Sequence, residues 1–223
     1  MADLKTGSAV ATVYDSLKKA IFLRTLRPGM QLTEKTLSES LNVGRSPIRR
    51  ALQELANDGF VRLIPNKGAY VISYTKEAMI QLYAIKNELE IYAISLTIDQ
   101  YTGEDIAFLE NCLALQLSTF SERNLSGYLD AIIQFNCYIV DKAENIYLSE
   151  IYRSMMNKLA VCLALYDNFY VTPGKRLASF KNHEKIILSL RDGKGKKAAK
   201  LINELSAQAI NSSEYAISLS GTF

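Results

Sequence analysis

The placement of proline is the strongest constraint on how this chain can fold. Pro28, Pro47 and Pro65 fall in the first third, none occurs from Asn66 to Thr172, and Pro173 is the last. Proline removes a backbone donor and clashes with the preceding helical turn, so it breaks helix interiors. The first third must therefore be short elements joined by turns, while the rest is free to form long helices. Charge divides the same way. Residues 1–73 carry eleven Lys and Arg against six Asp and Glu, a net of +5, and the other 150 carry fifteen against seventeen, a net of −2. A basic, turn-rich head on a near-neutral helical body points to an anionic partner at one end only. We expect a mainly α chain of two domains, 1–73 and 74–223.

The proportions of the 223 residues, 48% apolar and 22% charged, are those of a folded globular protein and exclude a disordered chain or a disulfide scaffold. No run of 18 apolar residues is present to span a membrane. Met1 to Gly7 offers no apolar core of a signal peptide, which predicts a cytoplasmic protein. Cys112, Cys137 and Cys162 are odd in number and far apart inside helical patterns, so they read as buried thiols rather than bridges or a zinc cluster.

In the head, Val10, Val13, Tyr14, Leu17, Ala20, Ile21 and Arg24 keep helical spacing until Leu26-Arg27-Pro28-Gly29 turns the chain. Met30 to Leu32 follows as a short extended stretch. Thr33 is a good N-cap for a second helix, which Asn42-Val43-Gly44 ends after about two turns. Ser46 can cap a third helix with Pro47 at its first position. Along that helix Ile48, Ala51, Leu52 and Leu55 form an inward stripe and leave Arg49, Arg50 and Gln53 outside. Phe60–Ile64 and Ala69–Ser73 then read as strands joined by Pro65-Asn66-Lys67-Gly68, a hairpin with a basic tip.

Three helices with a tight turn between the second and third, then a β-ribbon, make a winged helix-turn-helix. Entering the major groove by its N-terminal end, the third helix puts Arg45, Ser46 and Arg49 against phosphates and base edges, and an arginine can bind guanine bidentately. Lys67 on the wing can reach phosphates or a neighbouring groove. Helix-turn-helix geometry also serves protein docking, which stays open as an alternative.

The order of residues goes further. Leu26-Arg27-Pro28-Gly29, Leu32-Thr33-Glu34, the run from Leu37 to Leu52 containing Asn42-Val43-Gly44-Arg45-Ser46-Pro47-Ile48-Arg49-Arg50-Ala51, and Leu55-Ala56-Asn57-Asp58-Gly59-Phe60-Val61 closely resemble the GntR family of bacterial transcription regulators. The resemblance implies DNA contacts from Lys35 on the second helix, from Arg45, Ser46, Pro47 and Arg49 at the recognition helix, and from Asn66, Lys67 and Gly68 on the wing. Arg50 stands where that family usually has glutamate, and it adds positive charge near the groove.

From Thr75 the pattern is helix after helix, roughly 75–100, 104–123, 126–143, 146–170, 174–191 and 195–218. Thr102-Gly103, Asn124 to Gly127, Glu144-Asn145, Thr172-Pro173-Gly174 and Asp192-Gly193 supply turn and cap residues between antiparallel neighbours. An all-helical antiparallel bundle of about six helices behind a GntR head is similar to the FCD domain of the FadR/VanR branch. That resemblance implies a small-ligand cavity inside the bundle. It also implies, in many members, a metal held by an Asp-x-x-x-His pair and two later histidines about 22 residues apart.

Residue by residue the metal pattern fails here. The inward stripe Leu129, Ile132, Ile133, Asn136, Ile139 and Val140 has Ile132 and Asn136 at the paired positions. His183 shares a stripe with Phe180, Ile187 and Leu190, but Leu205 stands 22 residues on, and His183 is the single histidine of the chain. Asp130 points elsewhere on its helix. One imidazole and one amide make a poor divalent site, so no metal and no other cofactor is expected.

Asn136 and His183 are either core polar residues satisfied by neighbours or pocket groups that recognise a ligand directly. Lys86, where the resemblance expects an arginine, could with Tyr83 neutralise a carboxylate of an organic acid, or it could pair with Glu90 four residues on. Tyr147, Tyr152, Tyr166, Phe169 and Tyr170 suggest bundle packing or a dimer surface. Lys194, Lys196 and Lys197 suggest a solvated turn. A chain with one histidine and no phosphate loop, nucleophile elbow or paired carboxylates gives no sign of an enzyme. The expected protein is a bacterial, cytoplasmic, homodimeric repressor that binds double-stranded DNA at a pseudo-palindromic operator and answers to a small-molecule effector. The alternative is a metabolite-binding or interaction module whose head docks protein.

Overall fold

The computed structural model describes residues 2–166 and 173–220, with side chains described for 9–166 and 179–211. Phe169 and Tyr170 lie outside the described residues. The chain divides into two compact units, Met1–Tyr74 and Thr75–Phe223.

In the first unit, α1 (Ala2–Phe22) is followed by β1 (Gln31–Leu32), α2 (Glu34–Leu41), α3 (Arg45–Asn57), β2 (Val61–Ile64) and β3 (Gly68–Val71). Val10, Val13, Leu17 and Ile21 repeat at helical spacing on α1 and are buried, as are Ile48, Ala51, Leu52 and Leu55 on α3, and the two helices pack together. The first helix stops at Phe22, two residues short of the expected Arg24, because Arg24 itself turns left-handed at φ 57°. Thr33 caps α2 by accepting the Thr36 amide at 3.2 Å, and Asn42 closes it in the left-handed region at φ 51°.

Ser46 is not the cap of α3. The helix starts at Arg45 behind Gly44, which has no side chain to offer, so Ser46 is the second helical residue and Pro47 the third. Proline is still tolerated there, since the first four helical amides have no intrahelical partner.

The sheet runs β1-β3-β2, all antiparallel, with Leu32 opposite Ala69, Leu63 opposite Ala69 and Ile64 opposite Gly68. The wing turns at Pro65-Asn66-Lys67 with Asn66 at φ 61° and Gly68 at φ 89°. At Gly68 a side chain would be strained by that φ, and its Cβ would also approach the Leu32 carbonyl at 3.5 Å.

The second unit is α4 (Lys76–Thr97), a 3-10 turn over Ile98–Gln100, α5 (Gly103–Ser121), α6 (Leu125–Asp141), α7 (Ile146–Tyr166), α8 (Pro173–Arg191) and α9 (Gly195–Ser220). These are the six helices expected, and the fold is mainly α as read from the sequence. Three of the starts are set by side chains: Thr75 caps α4, Asn124 caps α6, and Thr102 with Asp105 forms a capping box on α5. One core joins five of the helices through Ile94, Ile106, Leu109, Cys112, Phe135, Ile139, Ile187, Leu190 and Ile202. Cys112, Cys137 and Cys162 are buried and free. Among the described residues no helix is long and apolar enough to cross a membrane.

Contacts along α5 fix the level of each residue in the bundle. Glu110 pairs with Arg191, and ten residues on Phe120 meets Phe180 with ring centroids 5.7 Å apart. The two helices are therefore antiparallel, which brings Gln116 to about the level of His183.

Candidate functional site

The apolar stripe of α3 is spent on the core, so its other edge has to be polar. Arg45, Ser46, Arg49 and Arg50 are exposed and Pro47 is half-buried, while Ile48 and Ala51 between them have no exposure at all. Lys35 on α2 and the wing residues Asn66, Lys67 and Gly68 are exposed as well. The first turn of α3 carries no acidic residue, so its unpaired amides and Arg45 present positive charge together. Every residue expected to meet DNA is thus accessible on the first unit.

Two contacts in this surface were not anticipated. Glu34, the first residue of α2, accepts from Arg49 Nε at 2.7 Å and from Arg49 Nη2 at 2.9 Å. Arg49 lowers the Glu34 pKa by this bond, and Arg45 adds a smaller effect of the same sign through space. The second contact steadies the wing, where Gln31 Nε2 donates to the Lys67 carbonyl at 2.6 Å and ties the turn to β1. The sequence motif contained Glu34, but only the fold shows that it meets a side chain fifteen positions away.

Farther from that edge, the Tyr14 hydroxyl donates to Asp58, and burial followed by that bond pushes its pKa far above the usual tyrosine range. Lys18 stands over the rings of Tyr14, Phe22 and Phe60 at 5.3 to 5.7 Å. These contacts clamp α1 to the end of α3 and so fix the direction in which α3 points.

In the second unit the four residues expected to bind ligand have different settings. Tyr83 is buried and lines a groove of about 600 Å³ between α4 and α9, with Asn87, Asn203 and Ser206. Asn87 donates to Asn203 at 2.8 Å and accepts from the Ser206 hydroxyl at 2.7 Å. Lys86 is 5% exposed and its ammonium lies 2.7 Å from Glu90, which also accepts the Tyr152 hydroxyl. The i,i+4 pairing is the one the structure adopts. Burial first, and Glu90 second, raise the Tyr152 pKa well above its ordinary value.

Asn136 is buried, and its Nδ2 donates to its own helix at the Ile132 carbonyl, 2.9 Å away. His183 is buried with its ring 4.7 Å from that of Phe135. On α5, at about the same level, Gln116 has no exposure, and neither amide atom has a hydrogen-bond partner among the described residues. Sequence reasoning missed Gln116, because a glutamine in a helical pattern carries no sign of burial.

The donors present do not fit a metal. Ile132 has none, Asn136 offers a single neutral amide oxygen and donates its Nδ2 to the Ile132 carbonyl, and no group of three or more His, Cys, Asp or Glu that could hold an ion occurs among the described residues. Asp130 is exposed. Tyr152 and Tyr166 are packed inside the bundle and Tyr147 is 70% exposed. Lys194, Lys196 and Lys197 are exposed, with Lys194 2.7 Å from Asp192.

Comparison with known proteins agrees with this geometry. The family of bacterial regulatory proteins named gntR matches residues 9–71, and the FCD domain matches residues 81–207, more than half of the chain. The chain is similar to the HTH-type transcriptional regulator YdhC of Bacillus subtilis, 29% identical over 192 residues that cover 84% of this chain and 82% of that protein. It is also similar to McbR of Escherichia coli, 29% identical over 133 residues, or 60% of this chain and 58% of that one. The crystal structure of a putative transcriptional regulator GntR from Rhodococcus sp. RHA1 superposes with a TM-score of 0.68 at 23% identity, over 97% of this chain and 99% of its own, which is a likeness of fold.

Proposed function

This chain belongs to the GntR family of bacterial transcriptional regulators with an FCD domain, and from that membership we propose that it is a cytoplasmic, homodimeric repressor whose two heads read a pseudo-palindromic operator. The observation that carries the reading is the exposure of Arg45, Arg49 and Arg50 on one edge of α3, backed by the basic wing. A helix with its stripe on the core and three guanidiniums outside is built to enter a polyanionic groove.

A small metabolite entering the helical unit shifts the balance between DNA-bound and released states by its differential affinity for the two. The polar groups that support an interior site are Gln116 and His183 on one level of the bundle, with Asn136 on α6. The Lys86 ammonium is already neutralised by Glu90, so the carboxylate of an organic acid would meet a paired charge and a like charge beside it, whereas a neutral polar molecule meets no such repulsion. We therefore favour a neutral effector. No resident metal takes part in this scheme, and elemental analysis of purified protein should find well under one tightly held zinc or nickel ion per chain.

Selection from a random duplex library by the purified protein tests the function. Enrichment of an inverted repeat is expected. Failure to enrich any sequence would leave the head as a docking surface for protein.

A further inference from the structure

The carboxylate of Glu34 stands beside Arg49 and in the field of Arg45, and a solvated acid there works against phosphate binding. Its geometry gives it a different use. Glu34 engages Arg49 through Nε and Nη2, the side edge of the guanidinium. That leaves Nη1 and the second hydrogen of Nη2, the end edge, pointing away from Glu34 in the same plane. The Arg49 side chain is 74% exposed, so this outer edge faces solvent rather than protein. Arginine has four rotatable bonds, and an unsupported one samples many directions at some cost in entropy when it binds.

We propose that Glu34 is a positioning residue for recognition: it buttresses Arg49 so that the two-donor end edge is presented to O6 and N7 of a single guanine. The inference rests on the reading that α3 enters the major groove. Two parallel donors in a fixed plane match guanine and no other base edge. The same carboxylate subtracts one charge from the nearby field, which weakens indiscriminate phosphate contact. Glu34 thus acts on the ratio of specific to non-specific binding more than on total affinity.

The test compares wild type, Glu34→Ala, Glu34→Gln and Arg49→Ala on the duplex enriched by the wild-type protein, on duplexes changed one base pair at a time, and on a random duplex. Arg49→Ala identifies the position that Arg49 reads. At that position the wild-type preference for guanine, on the order of 10-fold, should fall to about threefold or less in Glu34→Ala, with the other positions unchanged. Affinity for the random duplex should rise about two- to fivefold. Glu34→Gln, nearly the same shape but uncharged, should show the same loss in smaller degree, and it carries the test should the alanine variant melt early. Preference kept within twofold in both variants, or lost equally at every position, would overturn the proposal. So would an Arg49→Ala profile that weakens all duplexes alike, since Arg49 would then be reading phosphate. A wild-type protein that enriches no sequence would remove the DNA reading beneath it.

Discussion

Arg49 shows how much one residue's setting decides. Its guanidinium is solvated and held from one side only, so removing it should leave the fold alone and act on binding. Arg49→Ala should cost about 1 to 3 kcal/mol on the selected duplex and relax base choice there, as measured by titration at fixed salt. Unchanged affinity would remove it from the interface. The exposure of Arg45, Arg49 and Arg50 was legible in the sequence, because Ile48, Ala51, Leu52 and Leu55 take the opposite stripe. The cap of α3 was not. Serine before proline is a good local signal, and it was overridden by a helix that starts two residues sooner behind Gly44. Glu34 escaped for another reason: contacts between helices depend on a packing angle that no spacing rule contains.

Among the elements, the starts of α4, α5 and α6 were readable because each carries a side-chain cap. The box at the head of α5 does more than cap. Burial alone would raise the Asp105 pKa, but bonds from Lys142, Thr102 and Tyr138 outweigh it and hold the carboxyl well below the usual range. Asp105→Asn should therefore destabilise the protein by about 2 to 3 kcal/mol at pH 7 in urea unfolding. Since the folded pKa lies below the unfolded value of about 4, this contribution is complete at neutral pH. It is lost as the pH falls below that value toward the folded pKa, so wild type and variant should converge in acid. A constant gap down to the acid transition would contradict the assignment.

Between α4 and α7 the spacing of Lys86 and Glu90 was visible, but their burial was not, because it is Tyr152 from α7 that closes over them. Breaking this pair leaves a desolvated charge. Glu90→Gln should cost about 3 to 5 kcal/mol, while Lys86→Met with Glu90→Leu and Tyr152→Phe should regain most of it. Thermal unfolding of the two variants distinguishes a charge effect from a packing effect.

At the scale of the molecule, the unequal placement of proline and charge pointed to a basic head of short elements and a helical body; α2, α3 and the strands are short, but α1, which precedes the first proline, runs to 21 residues, and the chain divides between Tyr74 and Thr75. The interior of the body was far less legible. Hydrophobic stripes say which face of a helix turns inward, yet they say nothing of which polar groups meet at one level. That information lies in the register of α5 on α8, set by Phe120 with Phe180 and Arg191 with Glu110.

The same register has a thermodynamic corollary at Gln116. An amide shut away from water without complementary groups lowers the stability of the native state, so Gln116→Leu should raise the melting temperature, by the equivalent of about 1 to 2 kcal/mol. If a metabolite satisfies that amide, wild type will gain heat resistance on adding it and the leucine protein will gain little. Calorimetry across a metabolite library would then pick out such a ligand as the compound that separates the two melting curves.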